Sequence, residues 1–348
     1  MGTDADPLRK IDLRSDTVTK PTPEMRAAMF AAEVGDDVWG DDPSINRLQR
    51  MAADMFGMED SLFCPSGTMT NQIAIKIHTR PGDELLCSDT AHIYWYEGGG
   101  IAANSGVQAK LLKCDRGRFS AQQVSDAINE DNVHYPATRL VCVENTGNKA
   151  GGSIYSGKQM QEVSALCRSR GIAIHLDGAR IFNAIVEADY TPKDLGQWFD
   201  TISVCLSKGL GCPVGSLLLG STANIDKARR VRKMMGGGMR QAGFLAAAGI
   251  YALEHNIERL REDHAKARKL GETLLQCSFC EGVLPVETNI AIALVKSEFK
   301  ASDVVVKLLA AGVMCGCMGH CGVRFVTHLD VSDADIERTC TILKEMVL

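Results

Sequence analysis

Lys208 stands in Ser207-Lys208-Gly209-Leu210-Gly211, directly after the apolar, β-branched stretch 201–206. Asp177 stands 31 residues upstream, in Asp177-Gly178-Ala179-Arg180, directly after a second such stretch, 171–176. Runs of this kind read as buried strands, so both side chains fall at predicted strand ends. A lysine amine and a carboxylate so placed are the pair that pyridoxal phosphate needs. The amine condenses with the cofactor aldehyde as a Schiff base, and the carboxylate pairs with the protonated pyridine nitrogen so that the ring accepts electrons. Either residue alone is ordinarily a surface charge. The pair, at this spacing and flanked by glycine, favours the cofactor reading.

Other residues supply the remaining parts of such a site. Ser66-Gly67-Thr68 lies between a predicted strand and a predicted helix. Backbone N–H groups at a helix N-terminus, with glycine allowing close approach, make an anion site for the phosphate. The hydroxyl of Ser207 is a second candidate for that phosphate. The glycine-rich stretch 207–215 lacks the spacing of an ATP-binding P-loop. His92, in Asp89-Thr90-Ala91-His92, follows a predicted strand and is a candidate to lie on the ring and to exchange protons near neutral pH. Arg180, three residues past Asp177, and Arg324, within the apolar run 322–326, are candidates to hold a substrate carboxylate. An arginine inside an apolar strand needs an anionic partner. Arg240 follows Gly236-Gly237-Gly238-Met239. It reads as a phosphate ligand at a helix start or as a surface residue beside a flexible hinge.

The elements that must position these groups are legible as alternation. Strand-like runs recur at 84–87, 140–143, 172–176 and 201–206, with helix-like stretches at 22–34, 43–57, 69–78 and 158–170. Asp42 followed by Pro43 predicts a helix start. Strand and helix in alternation predict a mostly parallel sheet covered by helices on both faces. The stretch 239–276 reads as one long helix, apolar at first and charged from about 254. That shift places a domain boundary, with a large domain at 1–253 and a small C-terminal α/β domain at 254–348. In the second, strands are predicted at 290–295 and 322–326 and helices at 302–311 and 333–346.

Composition narrows the function class. The 348 residues are 45% hydrophobic, enough for a large core, and the net charge of −5 with no basic run excludes nucleic acid as the main partner. No run approaches the ~18 consecutive apolar residues of a membrane span. Residues 1–7 show neither a secretory leader nor a good myristoylation pattern. Thirteen cysteines, an odd number in a large chain, predict reduced thiols in a cytoplasmic protein. Cys315, Cys317, His320 and Cys321 crowd into seven residues, and Cys277 and Cys280 form a further pair. The glycine-rich first cluster reads as a hairpin tip rather than a zinc site, which needs two well-spaced ligand pairs.

Taken together, the motifs resemble the low-specificity L-threonine aldolases, PLP enzymes of fold type I. The resemblance runs from Ile11 to about Asp330. It is carried by Leu13-Arg14-Ser15-Asp16-Thr17-Val18-Thr19, Val34-Gly35-Asp36-Asp37-Val38-Trp39-Gly40, Pro65-Ser66-Gly67-Thr68-Met69, His175-Leu176-Asp177-Gly178-Ala179-Arg180, Ser207-Lys208-Gly209-Leu210-Gly211 and Gly236-Gly237-Gly238-Met239-Arg240-Gln241. It implies that Lys208 carries the cofactor, Asp177 faces its ring nitrogen and His92 stacks on the ring. Gly67 and Thr68 would hold the phosphate through their backbone, with Arg240 entering from a neighbouring subunit. Ser15, Arg180 and Arg324 would hold the substrate carboxylate, with Lys233 nearby. It further implies a homotetramer built from dimers. One departure stands out: the family often carries Glu-Asn-Thr-His-Asn where this chain has Glu144-Asn145-Thr146-Gly147-Asn148. The side chain that contacts the substrate hydroxyl in the family is therefore missing, and the preference between threonine and allo-threonine stays open.

The expected activity is retro-aldol cleavage of threonine or allo-threonine to glycine and acetaldehyde. Rival readings are another fold type I lyase (β-elimination or cysteine desulfuration, for which Cys212 is the nearest thiol), a non-catalytic PLP carrier, and an unrelated α/β binding protein.

Overall fold

The computed structural model describes residues 10–346. The segment 1–7, from which the lack of a leader is read, lies outside the described residues. The leucine- and β-branched-rich runs form one seven-stranded sheet in the spatial order Asp60–Cys64, Ser216–Gly220, Thr201–Cys205, Ala173–Gly178, Thr138–Glu144, Glu84–Ser88, Gln108–Leu112. Ser216–Gly220 runs antiparallel to both of its neighbours, and every other adjacent pair is parallel. Strands buried on both faces read as continuous apolar runs, as these do. The predicted strands are all present, extended or shortened by one or two residues.

The helices on the sheet start where short polar side chains can cap them. The Asp42 side chain accepts from Ile45 N at 3.0 Å and Pro43 opens Pro43–Phe56, which ends at Gly57 with a φ of 62°. Ser156 and Gln159 form a reciprocal capping box on Gly157–Ser169. Ser66 caps Gly67–His78 by accepting from Met69 N.

One expectation fails. The stretch 239–276 is not a single helix but two, Gly243–His255 and Leu260–Leu274. Asn256 caps the first. Its buried side-chain amide donates to the Leu210 carbonyl at 2.8 Å, which fixes the break against the loop after Lys208. Arg240 therefore precedes the helix instead of opening it.

The second sheet is antiparallel, in the order Gly316–Met318, Gly322–Val326, Ile290–Val295, Cys280–Val283. The helices Ala301–Ala310 and Asp333–Glu345 contribute to its core, as does the end of Leu260–Leu274. The cysteine-rich stretch does form a hairpin, with its turn at 319–321. The two largest apolar clusters among the described residues follow these two sheets. Leu260 belongs to the large cluster, whereas Leu270 and Leu274 of the same helix belong to the small one. Ile11 and Leu13 also pack in the small cluster, because Ile11–Asp12 pairs parallel with Val313–Met314. The N-terminal strand, counted with 1–253 in the sequence, thus packs with C-terminal residues. No helix among the described residues is long and apolar enough to cross a membrane.

Candidate active site

Parallel neighbours bring like ends of strands together, and the carboxyl ends of an open α/β sheet are where ligands bind. Here that edge gathers the candidates from five strands. Asp60–Cys64 leads to the Ser66-Gly67 turn, and Glu84–Ser88 leads to His92. Thr138–Glu144 ends on Glu144, Ala173–Gly178 carries Asp177, and Thr201–Cys205 leads to Lys208.

The Ser66-Gly67 turn sits hard against the sheet. A Cβ on Gly67 would lie 2.5 Å from Cys205 Sγ, so only glycine lets this helix start so close to the strand. Thr70 Oγ1 and Ser203 Oγ, 2.6 Å apart, pin the first turn to the same strand. The Gly67 and Thr68 N–H groups are first-turn donors with no intrahelical acceptor. Lys208 and Ser207 are half-buried, and the positive charge of Lys208 helps to keep Asp16 ionised.

His92 opens a short helix, His92–Trp95, after a turn at 89–91. Its Nδ1 lies 3.0 Å from Oε1 of the buried Glu97. Its backbone N–H donates to Glu144 Oε2 at 2.7 Å. Burial alone would push the imidazole down. The Glu97 hydrogen bond and the charges of Asp177, Glu97 and Glu144 outweigh that and hold it above its ordinary value. Glu144 is itself pushed up to about 7 by burial, reinforced by the charge of Asp177. Its other oxygen accepts from Asn148 N at 2.7 Å. His92, Glu97 and Asp177 each bring one ligand-capable atom within 4.8 Å of one another, the one such group of three among the described residues. The Cys315, Cys317, His320 and Cys321 side chains do not converge in that way.

The arginines meet beside the Leu13–Thr19 segment. Arg180 donates Nε and Nη2 to the two oxygens of Asp16, each at 2.7 Å, and both residues are buried. Burial would raise Asp16, but the Arg180 charge and hydrogen bonds bring it down to about 2. The third nitrogen, Nη1, points at Asn148 Oδ1, 3.4 Å away. Arg324 Nη1 donates to the same oxygen at 3.0 Å and its Nη2 to the Arg14 carbonyl at 3.2 Å. Both acceptors are neutral, and Arg324 Nε is buried with no hydrogen-bond partner among the described residues. Burial, with the like charge of Arg180, lowers the Arg324 pKa. Ser15, next to Arg14, is half-buried, with Thr17 bonded to its Oγ at 2.8 Å.

Two candidates lie apart from this cluster. Arg240 is exposed and pairs with Asp36 at 3.0 Å. Lys233 lines a cavity of about 390 Å³ with Asp37, Trp39, Arg229 and Gly238. The glycine segment between them packs against Met69 of the Gly67–His78 helix, where a Cβ on Gly237 would meet Met69 Sδ at 2.3 Å. Gly147 is buried, and a Cβ there would sit 2.9 Å from both Ala150 Cβ and Ser153 Oγ. The loop as folded has no room for a side chain at this position.

Sequence reasoning passed over Asp16, Asn71, Glu97, Glu144, Asn148 and His175. Several carried a usable signal. Asn71 and Gln72 interrupt an apolar helix face, and Glu144 and His175 sit in apolar strands, where a buried polar group must find partners.

A profile of the beta-eliminating lyase family matches residues 12–298. The chain is 43% identical over 323 residues to the low specificity L-threonine aldolase of Escherichia coli K12, covering 92% of this chain and 95% of that one. It is 41% identical over 337 residues to a probable low-specificity L-threonine aldolase 2 of Arabidopsis thaliana, covering 95% of each. Among solved structures, a threonine aldolase from Leishmania major superposes with a TM-score of 0.84 at 21% identity, over 96% of this chain and 98% of that one. That likeness shows a shared fold.

Proposed function

The chain belongs to the beta-eliminating lyase family, and on that footing we propose that it cleaves L-threonine, L-allo-threonine and related β-hydroxy-α-amino acids to glycine and an aldehyde, with pyridoxal phosphate as cofactor. The observation that carries this is the Arg324 guanidinium. It is mostly buried, it has neutral acceptors and an orphaned Nε, and it lies beside a second arginine at the edge where Lys208 and Asp177 emerge. An α-carboxylate is the missing partner.

The residues fit the cofactor. Gly67 leaves a cradle that a Cβ would fill. The Gly67 and Thr68 N–H groups would hold the phosphate, with Ser66 and Ser207 beside them. Asp177 would face the ring nitrogen, His92 the ring face, and Lys208 would carry the aldehyde carbon. When bound, pyridoxal phosphate supplies an aldehyde for the amines and a ring that takes up the electrons of the broken bond.

The chain's own residues then divide the work. Arg324, Arg180 through Nη1, and Ser15 grip the substrate carboxylate and so choose which bond at Cα is aligned to break. His92 Nδ1 is engaged by Glu97, which leaves Nε2 to accept the β-hydroxyl proton directly or through water. The Cα–Cβ bond breaks, the aldehyde leaves, and a proton returned to Cα gives glycine. Lys233 contributes positive charge from the neighbouring cavity.

We assign the assembly as a homotetramer in which Arg240 reaches the phosphate site of a neighbouring subunit. Its exposed position and the exposed Phe30 and Trp39 support this. A division into two domains near residue 254, with the Ile11–Asp12 strand crossing back, is supported by the two largest apolar clusters. A cytoplasmic location is supported by thirteen free cysteines. There the reaction would serve threonine breakdown and glycine supply.

The test is product analysis. Purified protein with pyridoxal phosphate is given L-threonine, L-allo-threonine, L-tyrosine and L-cysteine, and acetaldehyde, glycine, phenol and sulfide are measured. Equal amounts of glycine and acetaldehyde from the first two substrates are expected. Phenol or sulfide without acetaldehyde, or no product at all, overturns the reading.

A further inference from the structure

His175 and Asp177 are two residues apart on one strand, so their side chains leave the same face of the sheet. The Gly67–His78 helix packs over that face and lays Asn71 across both. Asn71 Nδ2 donates one hydrogen to Asp177 Oδ2 at 2.9 Å and the other to Glu97 Oε1 at 2.8 Å. Its Oδ1 faces His175 Nε2 at 3.1 Å. Two carboxylates cannot both face an amide oxygen, so the amide has one permitted orientation. With Oδ1 turned to His175, the proton of that imidazole must sit on Nε2. Its Nδ1 faces both Thr201 Oγ1 at 2.9 Å and the Thr201 carbonyl at 3.1 Å, and Thr201 Oγ1 in turn lies 3.1 Å from His78 Nε2. Burial pushes His175 and His78 each down to about 4.

We propose that Asn71 is a positioning residue that ties the two halves of the site together. Its one amide nitrogen holds the carboxylate opposite the cofactor ring and the carboxylate that orients His92, and His175 partners the oxygen end of that amide. Among the described residues, Asn71 alone donates to both carboxylates. A change at either carboxylate is felt at the other through a single NH₂ group. Gln72 serves one side alone: its Nε2 donates to Glu97 Oε2 at 2.7 Å.

That difference supplies the test, which for its Asp177 half rests on the pyridoxal phosphate reading above. In full-length chains carrying Asn71→Leu or Gln72→Leu, the His92 imidazole is titrated by NMR in cofactor-stripped protein. The affinity for pyridoxal phosphate is measured separately. Asn71→Leu is expected to move the His92 midpoint and to weaken the cofactor on the order of tenfold, the effect of one lost charge-assisted hydrogen bond. Gln72→Leu is expected to move the His92 midpoint and leave cofactor affinity near wild type. An Asn71→Leu protein that leaves either readout at its wild-type value overturns the proposal. Should Asn71→Leu not fold, His175→Gln and His175→Phe replace it. Glutamine keeps a donor for Asn71 and should behave as wild type, phenylalanine should move both readouts, and equal behaviour of the two overturns the idea. Wild-type protein that binds no pyridoxal phosphate would sink the functional reading instead, while the His92 titration still decides whether Asn71 holds Glu97.

Discussion

Asp16 and Arg180, 164 residues apart, face each other through two hydrogen bonds of 2.7 Å in the interior. Arg180 therefore reaches the site with its charge already balanced, and only Nη1 is left for a ligand. Among the described residues, Arg324 has no such counter-ion in contact. The two guanidinium groups share Asn148 Oδ1 and repel each other, so an arriving carboxylate gains from both.

Arg324→Ala should thus weaken substrate use most. Loss of a charged hydrogen-bonded pair costs about 1.5–3 kcal/mol. That corresponds to roughly a ten- to hundredfold fall in kcat/KM. Steady-state kinetics with both threonine diastereomers measure it. Arg324→Lys should recover part of the loss, because an ammonium keeps the charge but not the planar fork.

Asp16→Asn should act on stability before activity. It leaves the Arg180 charge buried and unpaired, a change that costs about 3–5 kcal/mol. In the wild type, Asp16 sits at about 2 when folded against an ordinary 3.8. Its contribution is therefore complete above about pH 4 and is lost as pH falls towards 2, a difference on the order of 2 kcal/mol. Urea titrations across that range should show a steeper loss of stability in the wild type than in the variant.

Glu97→Gln should move the acid limb of the pH profile. A base at His92 works when neutral, and its raised pKa places that limb above the ordinary histidine value. Removing the Glu97 charge lowers the imidazole pKa, so the limb of kcat/KM should shift to lower pH, by on the order of one unit. The profile measured from pH 5 to pH 9 decides this.

Gly67→Ala should loosen the cofactor. The new methyl meets Cys205 Sγ at 2.5 Å and forces the helix start away from the sheet. Overpacking of this kind costs about 1–3 kcal/mol. A titration of stripped protein with pyridoxal phosphate should show weaker binding, and a second change, Cys205→Ala, should restore much of it.

Lys208→Ala should end multiple turnovers. Borohydride should no longer fix pyridoxal phosphate to the chain, as read by intact mass. Near-normal steady-state activity would remove Lys208 from its assigned role.

Much of the site was legible because strand ends are legible. Lys208, Asp177 and the Ser66-Gly67 turn each follow a short apolar run, and parallel packing puts such ends side by side. The polar partners were not legible as pairs. Asp16 and Arg180, or Asn148 and Arg324, come from segments that only the tertiary fold brings together, and nothing local marks one as belonging to the other. Asn71 could have been singled out as a polar residue on an apolar helix face, but not its two carboxylates. The unbroken helix read across 239–276 failed for a related reason, since local pattern carries no trace of the Leu210 carbonyl that Asn256 binds.

The pairing of Ile11–Asp12 with Val313–Met314 bears on the order in which the molecule can be built. Arg14, Ser15 and Asp16 are synthesised before Lys208, whereas the stretch with Arg324 is synthesised after it. Lys208 and Asp177 are thus present in the growing chain before Arg324, the candidate carboxylate ligand of the second sheet.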